Sequence, residues 1–353
     1  MSRFIRFAAM ALAASGLTLA GCSDNGDQAD NTGAEQATTT LNVYSARKED
    51  LIAPLLDRFT DETGIEVKLL TAKAGALRSR LESEGDNTPA DLLITVDAGN
   101  LHRAKDAGVL QAIESDTLAE RIPANLRDVD NQWFGLSQRA RVIFAHKERV
   151  EEGAITSYAD LADPKFKGRI CIRSSNNIYN QSLVASLIAE HGEDWTQEWA
   201  EGLVANMARK PQGGDRDQIR AVAAGECDIA VGNTYYYGAM QNGNETDKSA
   251  AESVRLIWPN QDGRGAHVNV SGAGMVAASD KTDAVAQLLE FLTTEESQEW
   301  YAQVNNEFPV RPGVPASDTL AQWGDFKADD LNLSKLGELN PDAVRLMDRA
   351  GWQ

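Results

Sequence analysis

Residues 41–70 read LNVYSARKEDLIAPLLDRFTDETGIEVKLL. Leu41-Asn42-Val43-Tyr44 is a short extended run, after which Leu51, Ile52, Leu55, Leu56 and Phe59 recur at helical spacing until Gly64 stops the pattern. Ile65 to Leu70 then returns to strand character. Working outward, Ala76 to Glu84 predicts a second helix, Asp91-Leu92-Leu93-Ile94-Thr95 a third strand, and Asn100 to Ala107 a helix ended by Gly108. A βαβαβ order predicts an α/β fold with a parallel sheet and right-handed crossovers.

The middle of the chain repeats the scheme with its own strands. Gly168 to Arg173 leads into a helix capped by Asn176 or Asn177, with Tyr179 in its first turn and Leu183, Leu187 and Ile188 on its buried face. Asp194–Ala205 and Asp217–Ala224 read as helices, and Asp228-Ile229-Ala230-Val231 and Val254 to Trp258 as strands. Two extended runs, Arg139 to Ala145 and His267 to Val270, are placed to connect two lobes and to form a hinge. The expected first lobe is 41–140 plus about 268–300, and the second is 141–267 plus about 301–353. At 353 residues the chain is long enough for two such units.

The first 40 residues belong to neither lobe. Arg3 and Arg6 precede an apolar segment, Phe7 to Ala20, too short to span a bilayer, and Leu19-Ala20-Gly21-Cys22 closes it. This resembles the bacterial lipoprotein pattern, in which residues 1–21 are a signal peptide and Cys22 becomes the lipidated N-terminus. Residues 22–40 lack aromatic and large aliphatic side chains and read as a flexible tether. The expected location is the periplasm, with the membrane touched only through the lipid anchor. Two cysteines remain, Cys171 and Cys227, and an oxidising compartment favours a disulfide between them over two buried thiols. The formal net charge of −19 argues against a nucleic-acid partner, because phosphate binding needs clustered Lys and Arg.

Chemistry concentrates where strands end. Tyr44-Ser45-Ala46-Arg47, Asp97-Ala98-Gly99, Ser174 to Tyr179 and Asn233 to Tyr236 all fall just beyond the carboxyl ends of predicted strands, where open α/β sheets gather their ligands. The triple Tyr235-Tyr236-Tyr237, read as a turn after its strand, places several phenols there. A phenol has a reference pKa of roughly 10, yet a hard and highly charged cation can displace its proton. Taken alone, consecutive tyrosines also suit an aromatic cap over a strand end. His102, His146, His191 and His267 stand singly, and Tyr158 and Tyr301 read as packing residues. Asp215-Arg216-Asp217 reads as a helix start.

The motifs Tyr44-Ser45-Ala46-Arg47, Asn177-Ile178-Tyr179-Asn180-Gln181-Ser182 and Asn233-Thr234-Tyr235-Tyr236-Tyr237-Gly238, with residues 213–219 (GGDRDQI) and 258–265 (WPNQDGRG), resemble periplasmic ferric-iron-binding proteins over Leu41 to about Pro312. The resemblance implies a two-lobed periplasmic-binding-protein fold, type II-like, acting as a monomeric solute-binding component that hands a small inorganic ligand, Fe(3+), to the permease subunits of an ABC transporter. Carried over by motif, the iron ligands would be Tyr179, Tyr235 and Tyr236, with Tyr44 a candidate fourth phenolate or hydrogen-bonding neighbour. Tyr237 would lie outside the ligand set. Some relatives carry His and Tyr directly after the arginine of the first motif, whereas this chain has Lys48-Glu49. Three phenolates neutralise Fe(3+) and leave room for carbonate or bicarbonate, which Arg47 or Arg139 would hold through its planar fork.

Two other classes compete. No Gly-x-Ser-x-Gly elbow, His-Glu-x-x-His pair or phosphate-binding glycine loop occurs, so no enzyme is expected. The nearer rival keeps the fold and imports a small organic solute or oxyanion, with the tyrosines stacking on it or hydrogen bonding to it.

Overall fold

The computed structural model describes residues 39–353; the expected signal peptide, Cys22 and nearly all of the tether lie outside the described residues. The first lobe begins with β1 (Thr40–Ser45), α1 (Ala53–Thr63), β2 (Glu66–Thr71), α2 (Ala74–Glu84), β3 (Leu92–Val96), α3 (Ala98–Asp106), β4 (Leu110–Gln111) and α4 (Asp116–Arg121). Helix α1 accepts Pro54 in its first turn, where no backbone donor is missed, and ends at Gly64, whose φ of 73° suits a residue without Cβ. Its Leu55, Leu56 and Phe59 are buried against the sheet, each contributing about 1.5–3 kcal/mol.

Strand β5 (Phe134–His146) runs from one lobe into the other. The second lobe continues with β6 (Ile170–Cys171), α5 (Ile178–His191), α6 (Glu193–Ala205), α7 (Asp215–Ala223), β7 (Ile229–Asn233), α8 (Thr234–Gln241), α9 (Glu245–Ser253) and β8 (Val254–Ile257). Strand β9 (Val268–Val276) returns to the first lobe, followed by α10 (Thr282–Leu292), α11 (Glu295–Asn305), α12 (Asp318–Ala321), α13 (Ser334–Glu338) and α14 (Asn340–Arg349).

The strand order is β2-β1-β3-β9-β5-β7-β6, with β4 beside β9 and β8 beside β5. The expected parallel pairing holds for β1 with β2 and β3, and for β6 with β7. The two connecting runs depart from it, because β9 lies antiparallel to both β3 and β5. On β5, Phe134 to Ala140 pairs with β9, while Arg141 to His146 pairs with β7 and β8. The lobes therefore exchange at Ala140 and Val268, two facing residues on neighbouring strands.

The C-terminal region packs on both lobes. A division at about 301 would cut through the continuous helix α11. Its end belongs to the first lobe, since Gln298 Nε2 donates to Leu136 O at 2.7 Å and Asn305 Nδ2 to Leu51 O at 3.2 Å. Farther on, α14 packs on α5 and α6, whereas α13 lies against both α3 and α5 and so bridges the lobes. Among the described residues no helix is long and apolar enough to cross a membrane.

Candidate metal centre

Two helices of the second lobe start alike. Strand β6 leads to α5, whose N-cap is Asn177 and whose second residue is Tyr179; β7 leads to α8, whose N-cap is Asn233 and whose second and third residues are Tyr235 and Tyr236. The expected turn at Tyr235-Tyr236-Tyr237 is thus the first turn of a helix, because extended Asn233 hands the chain directly from β7 into α8. Helical side chains lean toward the N-terminus, so these phenols lie at the positive ends of two helix dipoles, an arrangement that favours an anion.

The phenols converge. Tyr235 Oη donates to Tyr179 Oη at 3.2 Å, and the Tyr235 and Tyr236 rings stand 4.2 Å apart. Two donors at right angles around a cation with bonds of roughly 2.0–2.1 Å are about 2.9 Å apart, so a shift of a few tenths of an ångström would let one ion bind both. All three phenols are half-buried. Burial, with the Tyr236 phenol beside it, pushes Tyr179 up to about 12, partly opposed by Arg139. Tyr235 is pushed well above its ordinary value by burial and then by Tyr179 and Tyr236. Among the described residues no group of three or more His, Cys, Asp or Glu side chains could hold a metal, which leaves these phenols as the candidate donors.

Positive charge surrounds them. The guanidinium carbons of Arg139 and Arg173 each lie 5.7 Å from the Tyr179 ring, and that of Arg216 lies 5.8 Å from Tyr236. Arg139 gives Nη1 to Ser271 Oγ at 3.3 Å, while its buried Nε and Nη2 have no acceptor in the protein. Those two atoms form one edge of the guanidinium, the fork that grips a carboxylate-like anion bidentately. An orphaned pair of charged donors is costly inside a protein, so the chemistry of the site fits an anion there.

Arg47, the other expected anion residue, is already paired. Its Nη2 contacts Glu307 Oε2 at 2.8 Å and its Nη1 contacts Ser137 Oγ at 3.5 Å. Burial alone would raise the Glu307 pKa, but Arg47 and then Arg139 hold the carboxyl below its usual range. Tyr44 does not join the phenol group. Its hydroxyl lies 3.1 Å from Glu84 Oε2, and Arg80 covers its ring at 4.9 Å. Tyr237 packs against Phe144 and Trp323 with its hydroxyl toward Ala251 O. Tyr158 and Tyr301 are fully buried. Cys171 and Cys227 form a disulfide that ties β6 to the chain entering β7, the two strands that feed the tyrosine helices.

Several residues at the centre escaped the sequence reading. Asp215, read as a helix start, is fully buried and accepts from Arg141 at 3.2 Å, from Arg173 at 3.2 Å and from Asn233 N at 2.8 Å. It therefore fixes the entry to α8. Arg141 also reaches Asn233 Oδ1 at 2.9 Å and Asn180 Oδ1 at 2.5 Å, joining the first turns of both tyrosine helices. The only sequence signal was position: Asp215 lies in the GGDRDQI motif, and Arg141 stands two residues after Arg139 on the same strand face.

A two-lobed α/β scaffold, with a polar site at strand ends beside paired crossover strands, defines a solute-binding protein. Residues 87–327 match the family model described as bacterial extracellular solute-binding protein, and the chain belongs to that family. Iron uptake protein A1 of Synechocystis sp. is 45% identical over 96% of this chain and 93% of its own length. The Fe(3+)-binding periplasmic protein of Serratia marcescens is 28% identical over 90% of this chain and 92% of its own. Among solved structures, a Trichodesmium protein in complex with iron and citrate ligands superposes with a TM-score of 0.87 at 48% identity, covering 89% of this chain and all of that one. The ferric binding protein of Campylobacter jejuni gives 0.84 at 42% identity, with 89% and 100% covered.

Proposed function

We propose that the protein binds ferric iron between its lobes through the phenolates of Tyr179, Tyr235 and Tyr236, together with an anion held by Arg139, and delivers it to an ABC-type permease for iron uptake. The observation that carries this reading is the convergence of Tyr179 and Tyr235 at 3.2 Å, with the Tyr236 ring tilted against Tyr235, beside an arginine edge without an acceptor. Three phenolates balance the charge of Fe(3+), and the guanidinium then favours one further small anion, carbonate or bicarbonate. The names of the relatives, which refer to iron uptake and ferric-iron binding, support iron as the cargo. The citrate in the Trichodesmium structure supports a carboxylate-like anion in general.

Arg47 is assigned a structural part, because taking it for the anion would strand the buried Glu307 carboxylate. Tyr44 is likewise left outside the ligand set, since its hydroxyl is engaged by Glu84. The protein acts as a periplasmic monomer, lipid-anchored at Cys22, without catalysis. Iron meets the second-lobe phenols in an open cleft, and lobe closure presents the loaded form to the permease.

The test is a visible absorption titration with ferric citrate, with and without bicarbonate. A one-to-one coloured complex, from charge transfer between phenolate and Fe(3+), is expected, and it should strengthen with bicarbonate. A colourless protein that retains no iron would overturn the reading in favour of an organic solute held by the same rings.

A further inference from the structure

The tyrosine ligands assigned above all come from the second lobe, so apart from the anion at Arg139 no bond to the metal draws the first lobe onto it. The two lobes touch where the start of α3 meets the first turns of α5. Asp97, the N-cap of α3, is fully buried, and its Oδ1 accepts both Gly99 N at 2.9 Å and, across the lobes, Ser182 Oγ at 2.6 Å. Its Oδ2 accepts Asn269 Nδ2 at 3.0 Å, from the return strand β9. Asp97 holds this position with φ 76° and ψ 125°, a strained backbone region for a residue with Cβ, and such strain persists only where surrounding contacts enforce it.

The contact continues along both helices. A Cβ on Gly99 would stand 3.3 Å from Ile178 Cδ1 and 3.6 Å from Ser182 Oγ, so the two helices are in close contact there. Arg103, one turn on, donates to Gln181 Oε1 at 3.1 Å and to Asn340 Oδ1 at 2.5 Å. Ile178, Gln181 and Ser182 bracket Tyr179, and Ser182 shares its helix face three residues later.

We infer that Asp97 and Ser182 are positioning residues forming an interlobe latch, which makes closure depend on where α5 holds Tyr179 and so slows the escape of bound iron. The inference rests on the ferric reading above. Iron bound to Tyr179 fixes the first turn of α5, that turn presents Ser182 to Asp97, and the first lobe closes on protein contacts instead of on a ligand of its own. Neither residue touches the metal, so cutting the latch changes how long iron stays and leaves the coordination colour in place.

The experiment measures iron loss to an excess chelator by stopped flow, and the radius of gyration of iron-loaded protein by small-angle scattering, for wild type, Asp97→Asn, Ser182→Ala and the double variant. Asn tolerates positive φ, so Asp97→Asn removes the charge with the least backbone disturbance. Ser182→Ala is a mild change within a helix and carries the test if the first variant folds poorly. The expected loss rate rises about 10–100-fold for Asp97→Asn, as for loss of a hydrogen bond to a charged group. For Ser182→Ala it rises about 2–10-fold, as for one hydrogen bond. The double variant should show less than the product of the two, the absorption maximum should not move, and the loaded form should expand. A normal band with loss rates unchanged in Ser182→Ala and in the double variant would overturn the latch while leaving the ferric site standing. No band in the wild type would overturn the ferric site itself, and the latch with it.

Discussion

The two rims of the cleft are built by the same strand-to-helix scheme and end in the same kinds of polar side chain, yet they differ in what those side chains are doing. On the first-lobe rim each candidate has a charged or polar protein partner: Tyr44 has Glu84, Arg47 has Glu307 although its Nε is unpaired, and Asp97 has Gly99, Asn269 and Ser182. On the second-lobe rim Tyr179 and Tyr235 have only each other, and the neighbouring Arg139, on the connecting strand, keeps two donors without acceptors. Polar residues at a strand end become a binding site when the fold declines to satisfy them. Matched, they become structure.

That contrast can be broken in five ways. The largest effect is expected from Tyr179→Phe or Tyr235→Phe, each weakening ferric binding by more than the roughly 100-fold that loss of an outer partner costs, with little change in thermal stability. Retention of tight iron binding in both variants would erase the distinction between the rims. On the opposite rim, Glu307→Gln should cost about 3–5 kcal/mol in chemical denaturation by leaving Arg47 buried without its partner. The Glu307 carboxyl is held below its usual range, so its contribution is present at neutral pH and is lost as pH falls through the folded-state value. Wild type and variant should therefore converge in acid, and a constant gap would refute the ion-pair account.

Proton competition comes next. Tyr179 and Tyr235 are raised mainly by burial and by neighbouring phenols, with Arg139 opposing and Asp215 reinforcing the shift, so both carry protons near neutral pH. Each must release one to bind iron, and these two releases alone should lower affinity by roughly 100-fold per pH unit as pH falls. Competition with a chelator of known pH dependence measures this, and a flat profile would exclude phenolate ligands. Arg139→Gln should weaken binding about 10–100-fold and abolish the response to bicarbonate. If Arg47→Ala abolished that response and Arg139→Gln did not, the assignment of the anion would reverse. The smallest effect belongs to Tyr44→Phe, less than about 2-fold in affinity, with a stability cost of about 0.5–1.5 kcal/mol read in urea.

Local pattern carried the sequence reading as far as local physics reaches. Alternating strand and helix periods gave the α/β class, Asn177 was one of two foreseen caps, and the two extended runs marked the crossovers. Tyr235 to Tyr237 looked like a turn because three aromatics after a strand have only modest helix preference; the capping geometry of Asn233, set by Arg141 and Asp215, decides otherwise. Arg47 looked available because its partner Glu307 lies 260 residues away. Asp215 read only as the helix start that it is, because nothing nearby in sequence announces the two arginines that neutralise it. Pairing at long range is where one-dimensional reading stops.

The place of β9 has a consequence for the order in which the molecule is made. The strands of the second lobe fall in one uninterrupted stretch between Ala140 and Val268, with α14 added later, but the first lobe cannot finish its sheet until β9, arriving last, slides between β3 and β5. An emerging chain therefore carries two open strand edges in its amino-terminal half until about 130 more residues have followed, a state prone to mispairing. Contacts so distant in sequence also slow folding. The sheet of the later lobe should form first, and that of the earlier one should wait for a single strand to become whole.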